Sequence, residues 1–356
     1  MEKKSYNILG VMSGTSLDGI DFAHVIFSIE QNKWDYTILE AETLPYSEDW
    51  INILKTATRY SDTALEELNE NYTDYLGQEI TTFIKKYTIT QLDAISSHGH
   101  TILHQPEKGI TLQIGNLKKI ASITKQKVVC DFRVQDILLK GQGAPLVPIG
   151  DRLLFSDFDF CLNLGGFSNI SFEENHERIA FDICPVNTIL NHYAEAMGFP
   201  YDAGGAIART GRIHLEALNA LNEIPFYKAN HPKSLGFESV RDLFLPLIEG
   251  YSIPIEDKLR TFTEHIAIQI GQTLKEKSGR ILITGGGAYN NFLIETIKKH
   301  LPKQDVIIPD SKTLEFKEAL IFGLLGVLKL RNEINVLKSV TGASKDHCSG
   351  VIFTPN

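Results

Sequence analysis

Residues 6–27 read YNILGVMSGTSLDGIDFAHVIF, an apolar run, a turn rich in Gly, Ser and Thr, and a second β-like run from Phe22 to Phe27. That order predicts a hairpin with an unusually polar loop. Residues 158–172, FDFCLNLGGFSNISF, repeat the pattern, with the second run at Ile170–Phe172. Residues 280–299, RILITGGGAYNNFLIETIKK, also run from an apolar strand into a glycine turn. There the turn leads into Phe292, Ile297 and Leu301 at helical spacing, which predicts strand–loop–helix. The two hairpins lie about half a chain apart, a degenerate internal repeat suited to two related α/β domains.

Between the hairpins, Leu65, Leu68, Tyr72, Leu76, Ile80, Phe83 and Ile84 recur every three or four residues. They predict a long amphipathic helix with Ser61 or Asp62 as N-cap. A second helix holds Leu259, Phe262, Ile266, Ile270 and Leu274. A shorter one starts at Pro185 and carries Leu190, Tyr193 and Met197. DAISSHG (93–99) and VVCDFR (128–133) read as buried strands with polar C-terminal ends, where open α/β sheets build sites.

The chain has 356 residues, enough for about two domains that need no disulfide or metal staple. With 43% hydrophobic and 22% charged residues it is globular. The 44 acidic residues outnumber 35 basic ones, for a net charge of −9. That balance speaks against nucleic acid or an anionic membrane as partner. Cys130, Cys161, Cys184 and Cys348 form no Cys-x-x-Cys pair, as expected for free thiols in a reducing cytoplasm. Neither the N-terminus nor ALIFGLLGVL (319–328) is long enough for a signal core or a membrane span.

Several segments carry chemistry. GVMSGTSLDGID (10–21) offers main-chain donors and two hydroxyls that suit a phosphate. It has neither the Gly-Lys-Ser/Thr of a Walker A loop nor the spacing of a nucleophile elbow. NLGGFSNIS (163–171) repeats that chemistry, and TGGGAYNN (284–291) adds a turn that opens a helix. His98, His100 and His104 have no carboxylate or thiol nearby in sequence. They read as hydrogen-bonding or packed groups before a metal cluster. Asp131 and Arg133 fall on one strand face by period-two alternation, as a sugar clamp or a local ion pair. Asp182 ends an apolar strand as a general base or a helix cap. Glu318 opens the last apolar helix, with a site role or a favourable place at the helix start.

The three glycine turns together resemble the nucleotide-binding core of sugar kinases, actin and the heat-shock chaperone ATPases. The ordered motifs GVMSGTSLDGID, SHGHT, TLQIGN, DFR, GQGAPLVP, NLGGFSNIS, KSLG, TGGGAYN and VTGAS cover nearly the whole chain. In that order they resemble the anhydro-N-acetylmuramic acid kinase family of bacterial cell-wall recycling. The resemblance implies a two-domain actin-like/sugar kinase fold with an interdomain nucleotide cleft. We expect residues 1–134 and 135–330 as the two domains, with 331–356 packing back on the first.

The resemblance further implies ATP and Mg²⁺ as cofactors, a 1,6-anhydrosugar as substrate, and a cytoplasmic homodimer. By resemblance, Gly14, Thr15, Ser16, Leu17, Asp18, Gly19, Ile20 and Asp21 hold the ATP phosphates. Gly165, Gly166, Asn169, Gly285, Gly286 and Gly287 complete the nucleotide site. His98, Gly99, Thr101, Asp131 and Arg133 line the sugar pocket. Asp182 is the catalytic base, Glu318 orients the attacking water, and Asp18 and Asp182 are the candidate Mg²⁺ carboxylates. The chain departs from the family at DICPVN (182–187), where DTGPGN is common, and at His100, where Gln is common. A sugar or nucleotide sensor, a kinase for a related anhydrosugar and a plain ATPase switch are the alternatives.

Overall fold

The computed structural model describes residues 3–14 and 16–355. The chain forms two compact units, Met1–Leu154 with Phe316–Asn356, and Phe155–Glu315. In the first unit, β1 (Ser5–Ser13), β2 (Gly19–Glu30) and β3 (Lys33–Pro45) make an antiparallel meander. On the other side of β1, β4 (Ala94–Gln105) runs parallel to it, β5 (Ile110–Ile114) pairs with the far half of β4, and β6 (Val128–Cys130) follows parallel. The order is β3-β2-β1-β4-β6, and the C-terminal strand Val351–Phe353 adds antiparallel to β6.

The second unit repeats this order. An antiparallel meander of β7 (Phe160–Leu164), β8 (Phe167–Glu174) and β9 (Glu177–Pro185) is joined by β10 (Gly279–Thr284), parallel to β7, and then β11 (Gln304–Ile307). Its order, β9-β8-β7-β10-β11, matches the first sheet strand for strand. The degenerate repeat is therefore a duplicated mixed sheet, the α/β arrangement of the sugar kinase and actin fold.

Local sequence explains the helices. Ser61 caps helix Asp62–Lys86 by accepting from the N–H of Ala64, and Leu65, Leu68, Tyr72, Leu76, Ile80 and Phe83 turn into the first core. Helix Ile255–Thr273 lays Leu259, Phe262, Ile266 and Ile270 into a separate core in the second unit. Pro185 closes β9 rather than opening a helix, and helix Asn187–Ala196 begins two residues later. No helix of the described residues is long and apolar enough to cross a membrane.

The unit boundaries lie at 154/155 and 315/316, not at the expected 134/135 and 330/331. Packing explains both shifts. In the short helix Pro148–Leu154, Gly150 lies so close to Ile321 that a Cβ would stand 2.5 Å from Cγ1. Helix Ser311–Leu330 is kinked at Phe316 (φ −107°, ψ 16°), and its later turns cross β1 at Gly10. A Cβ on Gly10 would come within 2.1 Å of the Ala319 carbonyl oxygen. Glu318 therefore belongs to the first unit. Gly10→Ala is expected to cost about 1–3 kcal/mol by overpacking. Gly250→Ala, at an exposed helix end with no contact under 3.3 Å, is expected to be nearly neutral. Urea and thermal unfolding of both variants check the difference.

Candidate active site

Strand β4 carries Ser96, Ser97, His98 and His100, all buried, through the first sheet. Its register with β1 slips between Ser97 and His100, and Gly99 takes φ +74°. This bulge aims the two histidines at different partners. A side chain at Gly99 would meet the Ile114 carbonyl at 2.5 Å, so only glycine fits.

His98 Nε2 accepts from Arg133 Nε at 2.9 Å. The proton must then sit on Nδ1, which donates to the Gly99 carbonyl at 2.9 Å. Burial and the Arg133 guanidinium hold His98 well below the ordinary histidine range, so it is neutral. Arg133 Nη1 donates to the Gly143 carbonyl at 2.6 Å. The expected alternation of Asp131 and Arg133 on one strand face does not occur. β6 ends at Cys130, and Asp131 adopts φ +60°. Burial raises the Asp131 carboxyl. Thr101 is partly exposed beside Gln113 Nε2, at 3.4 Å.

The ladder between β1 and β2 ends at Ser13 opposite Ile20, so the turn carries its N–H groups beyond the strand pairing. Thr15 lies outside the described residues. Leu17 takes φ +62°, and its N–H turns back to Gly14 at 3.4 Å. Ser16 Oγ donates to Asp18 Oδ1 at 2.6 Å, and both side chains are exposed. Gly19, Ile20 and Asp21 lie in β2. Gly19 is pressed against the Leu44 carbonyl, Ile20 is in the core, and Asp21 accepts from Thr43 Oγ1 at 2.6 Å. Glu318 is exposed to solvent and feels Arg133, Lys317 and Asp18. The surrounding protein raises its carboxyl, the two cations oppose that, and Asp18 adds to it. Asp18, Arg133 and Glu318 are thus electrostatic neighbours in the first unit, with buried His98 behind Arg133.

Sequence reasoning missed a buried hydroxyl chain here. Ser13 Oγ meets His100 Nδ1 at 2.7 Å and the Tyr46 hydroxyl at 2.6 Å, and Tyr46 bonds Tyr72. Burial lowers His100 to about 4. The signal was the serine directly before Gly14. His104 bonds Thr111 Oγ1 at 3.2 Å and lies beside Gly143, within reach of the Arg133 charge.

In the second unit Asp182 is half-buried in β9, directly opposite the exposed Asn169. The loop Lys233–Leu235, from the KSLG motif, brackets it. Asp182 N–H donates to the Lys233 carbonyl at 3.1 Å, and Leu235 N–H donates to Asp182 Oδ2 at 2.8 Å. Asp182 does not cap the following helix, whose N-cap position is Val186 with no side-chain bond. Burial raises its carboxyl, and the Leu235 N–H opposes this. Ile183 is the extra residue of a bulge, since Ser168 faces Cys184 and Asn169 faces Asp182. Ile183, Cys184 and Val186 are all buried in the core.

The Gly165 and Gly166 carbonyls accept from Val186, Asn187 and Thr188, at the start of the next helix. In a trans peptide the N–H points opposite to the carbonyl, so the N–H groups of Gly166 and Phe167 point away from that helix. Gly285 and Gly287 pack on Leu164, where a Cβ would stand 2.8 Å from Leu164 atoms, while Gly286 is exposed. The two glycine turns lie at the C-terminal ends of parallel β7 and β10. Among the described residues no group of three or more His, Cys, Asp or Glu side chains is placed to hold a metal ion.

The sequence profile of the family described as anhydro-N-acetylmuramic acid kinase matches residues 6–355. The chain belongs to this family. A relative of that name from Saccharophagus degradans is 33% identical over 370 residues, covering 98% of both chains. One from Mannheimia succiniciproducens is 34% identical over 381 residues, covering 99% of this chain and 100% of the relative. One from Haemophilus influenzae is 32% identical over 375 residues, covering 97% of both. The protein is a kinase.

The raised Asp182 carboxyl sets a stability test of this kinase. The folded chain keeps that proton to higher pH than the unfolded chain. Stability from this group is full below the ordinary Asp value of about 3.9 and is lost as pH rises through the folded value. Asp182→Asn removes that loss. Thermal melts from pH 3 to 8 should show the variant's Tm gaining on wild type as pH rises, whereas a gap independent of pH contradicts the assignment.

Proposed function

We propose that this kinase uses ATP and water to convert 1,6-anhydro-N-acetylmuramic acid to N-acetylmuramic acid 6-phosphate and ADP. Beside the family membership, one observation carries the mechanism. Asp182 is a half-buried carboxylate that pairs with no cation and caps no helix, and its Oδ1 has no protein partner among the described residues.

Hydrolysis of a glycosidic bond ordinarily needs one carboxyl group to activate water and a second to protonate the leaving oxygen. In a 1,6-anhydro sugar the leaving oxygen is O6 of the same ring. If O6 takes the γ-phosphoryl group as the C1–O6 bond breaks, the acid is unnecessary. Water adds to C1 and gives its proton to Asp182. The Leu235 N–H holds Oδ2 and leaves Oδ1 for the water. Glu318 helps orient that water. Arg133, Asp131, His98, Gly99 and Thr101 hold the sugar. Neutral His98 keeps the Arg133 guanidinium in place without adding a second positive charge.

The phosphates of ATP are held by the glycine turns Gly14–Asp18 and Gly165–Gly166, the second through the Gly166 N–H that points away from the following helix, with Gly286 at the nucleotide. Asp18, exposed and oriented by Ser16, offers the hard oxygen that Mg²⁺ prefers, and Asp182 is the second candidate. Bound Mg²⁺ would offset charge on the transferring phosphoryl group. The reading extends to a cytoplasmic homodimer. The DICPVN departure gives the sensor alternative no support, because its bulky residues are in the core.

Turnover of the anhydrosugar with Mg-ATP tests this. One ADP per ring-opened 6-phosphosugar is expected. Asp182→Asn is expected to lower kcat by about 10²–10⁴. The acid limb of kcat/KM should lie above the ordinary Asp value, because burial raises Asp182 and the base must be ionised. Binding without product would identify a sensor, and ADP release indifferent to sugar would identify an ATPase.

A further inference from the structure

Arg133 is followed, three residues on, by Asp136, a fully buried carboxylate in the short helix Val134–Leu138. A buried charge is tolerated only when its oxygens are met by donors. Here Oδ2 accepts from Gly143 N–H at 2.7 Å, Oδ1 accepts from Thr341 Oγ1 at 2.7 Å, and His347 Nε2 lies 3.5 Å from Oδ1. The motif glycines follow from this. A Cβ on Gly141 would stand 2.1 Å from Asp136 Oδ2, and Gly143 takes φ +69°. Two main-chain bonds tie the same loop to the C-terminal segment, Gln142 N–H to the Thr341 carbonyl at 2.8 Å and Ser344 N–H to Leu139 at 2.9 Å.

Gly143 is thereby clamped from two sides. Its N–H is held by Asp136, and its carbonyl receives Arg133 Nη1 at 2.6 Å. With Nε on His98, the guanidinium is fixed at two of its three nitrogens. Nη2 has no protein partner among the described residues. A long side chain fixed in this way binds a ligand without losing its rotamer freedom at that moment.

We propose that Asp136 is a positioning residue of the sugar site, presenting Arg133 through Gly143, and that the C-terminal segment around Thr341 and His347 completes this support. The VTGAS and GQGAP motifs then serve one purpose, the placement of Arg133. The proposal rests on the reading of Arg133 as a sugar-binding residue.

The test uses the full-length chain, with Asp136→Asn and Thr341→Val, the second removing one hydroxyl at constant shape. Titrations with 1,6-anhydro-N-acetylmuramic acid and, separately, with ADP give the two affinities. The ¹⁵N resonance of His98 Nε2 in the ligand-free protein reports the Arg133 bond. Asp136→Asn should weaken sugar binding about tenfold or more and Thr341→Val about threefold. ADP affinity should stay within about twofold, and the His98 resonance should move in both variants. Unchanged sugar affinity with an unmoved resonance overturns the proposal, as does parallel loss of sugar and ADP binding. If Asp136→Asn does not fold, Thr341→Val decides. If wild type does not bind the sugar, the functional reading has failed. The His98 resonance then still decides whether Asp136 holds Arg133.

Discussion

A strand that carries serines and histidines through the interior of a sheet must find a partner for each of them. That constraint organises the first unit. Ser96 donates to the Phe322 carbonyl of helix Ser311–Leu330, and Ser97 receives the Gly99 N–H at 3.2 Å. His98 takes Arg133, and His100 takes Ser13 at the foot of the glycine hairpin. Unpaired, each would cost of order 1–3 kcal/mol. Paired, they lock the helix, the hairpin and the Arg133 loop to one strand. The polar interior that looks unfavourable for stability is what places the candidate site residues.

The second unit solves a different problem, holding a carboxylate where it is neither paired nor free. Asp182 loses water to burial but keeps one main-chain donor, so its proton affinity rises without the group being neutralised by a cation. The bulge at Ile183 sends the neighbouring side chains into the core and leaves the carboxylate at the strand's edge. A general base needs that balance of desolvation and access.

Much of this was legible in the sequence because it is local. The two hairpins, the strand–loop–helix at Gly285, and the Ser61 cap follow from turn chemistry and periodicity, and all are present. Gly99, Arg133, Asp182 and Gly286, which the motifs singled out, lie at strand ends, bulges and turns. What could not be read is set by distant contacts. The unit boundaries depend on Gly10 and Gly150 meeting a helix far along the chain. The face of Asp131 depends on one positive φ that alternation cannot anticipate. Ser13, Tyr46 and Asp136 look like ordinary polar residues until the fold brings His100, Tyr72 and Thr341 beside them.

The account joins a family membership that spans the chain to a proposed mechanism in which Asp182, half-buried and held by one main-chain donor, is the base. Its central claim is that water enters at C1 while O6 of the same sugar receives the phosphoryl group. Running the reaction in ¹⁸O-labelled water and reading the products by mass spectrometry and ³¹P NMR tests this most directly. The account expects one ¹⁸O on C1 of the phosphosugar and none in its phosphoryl group. Label appearing in inorganic phosphate, or a phosphosugar without label at C1, would contradict it.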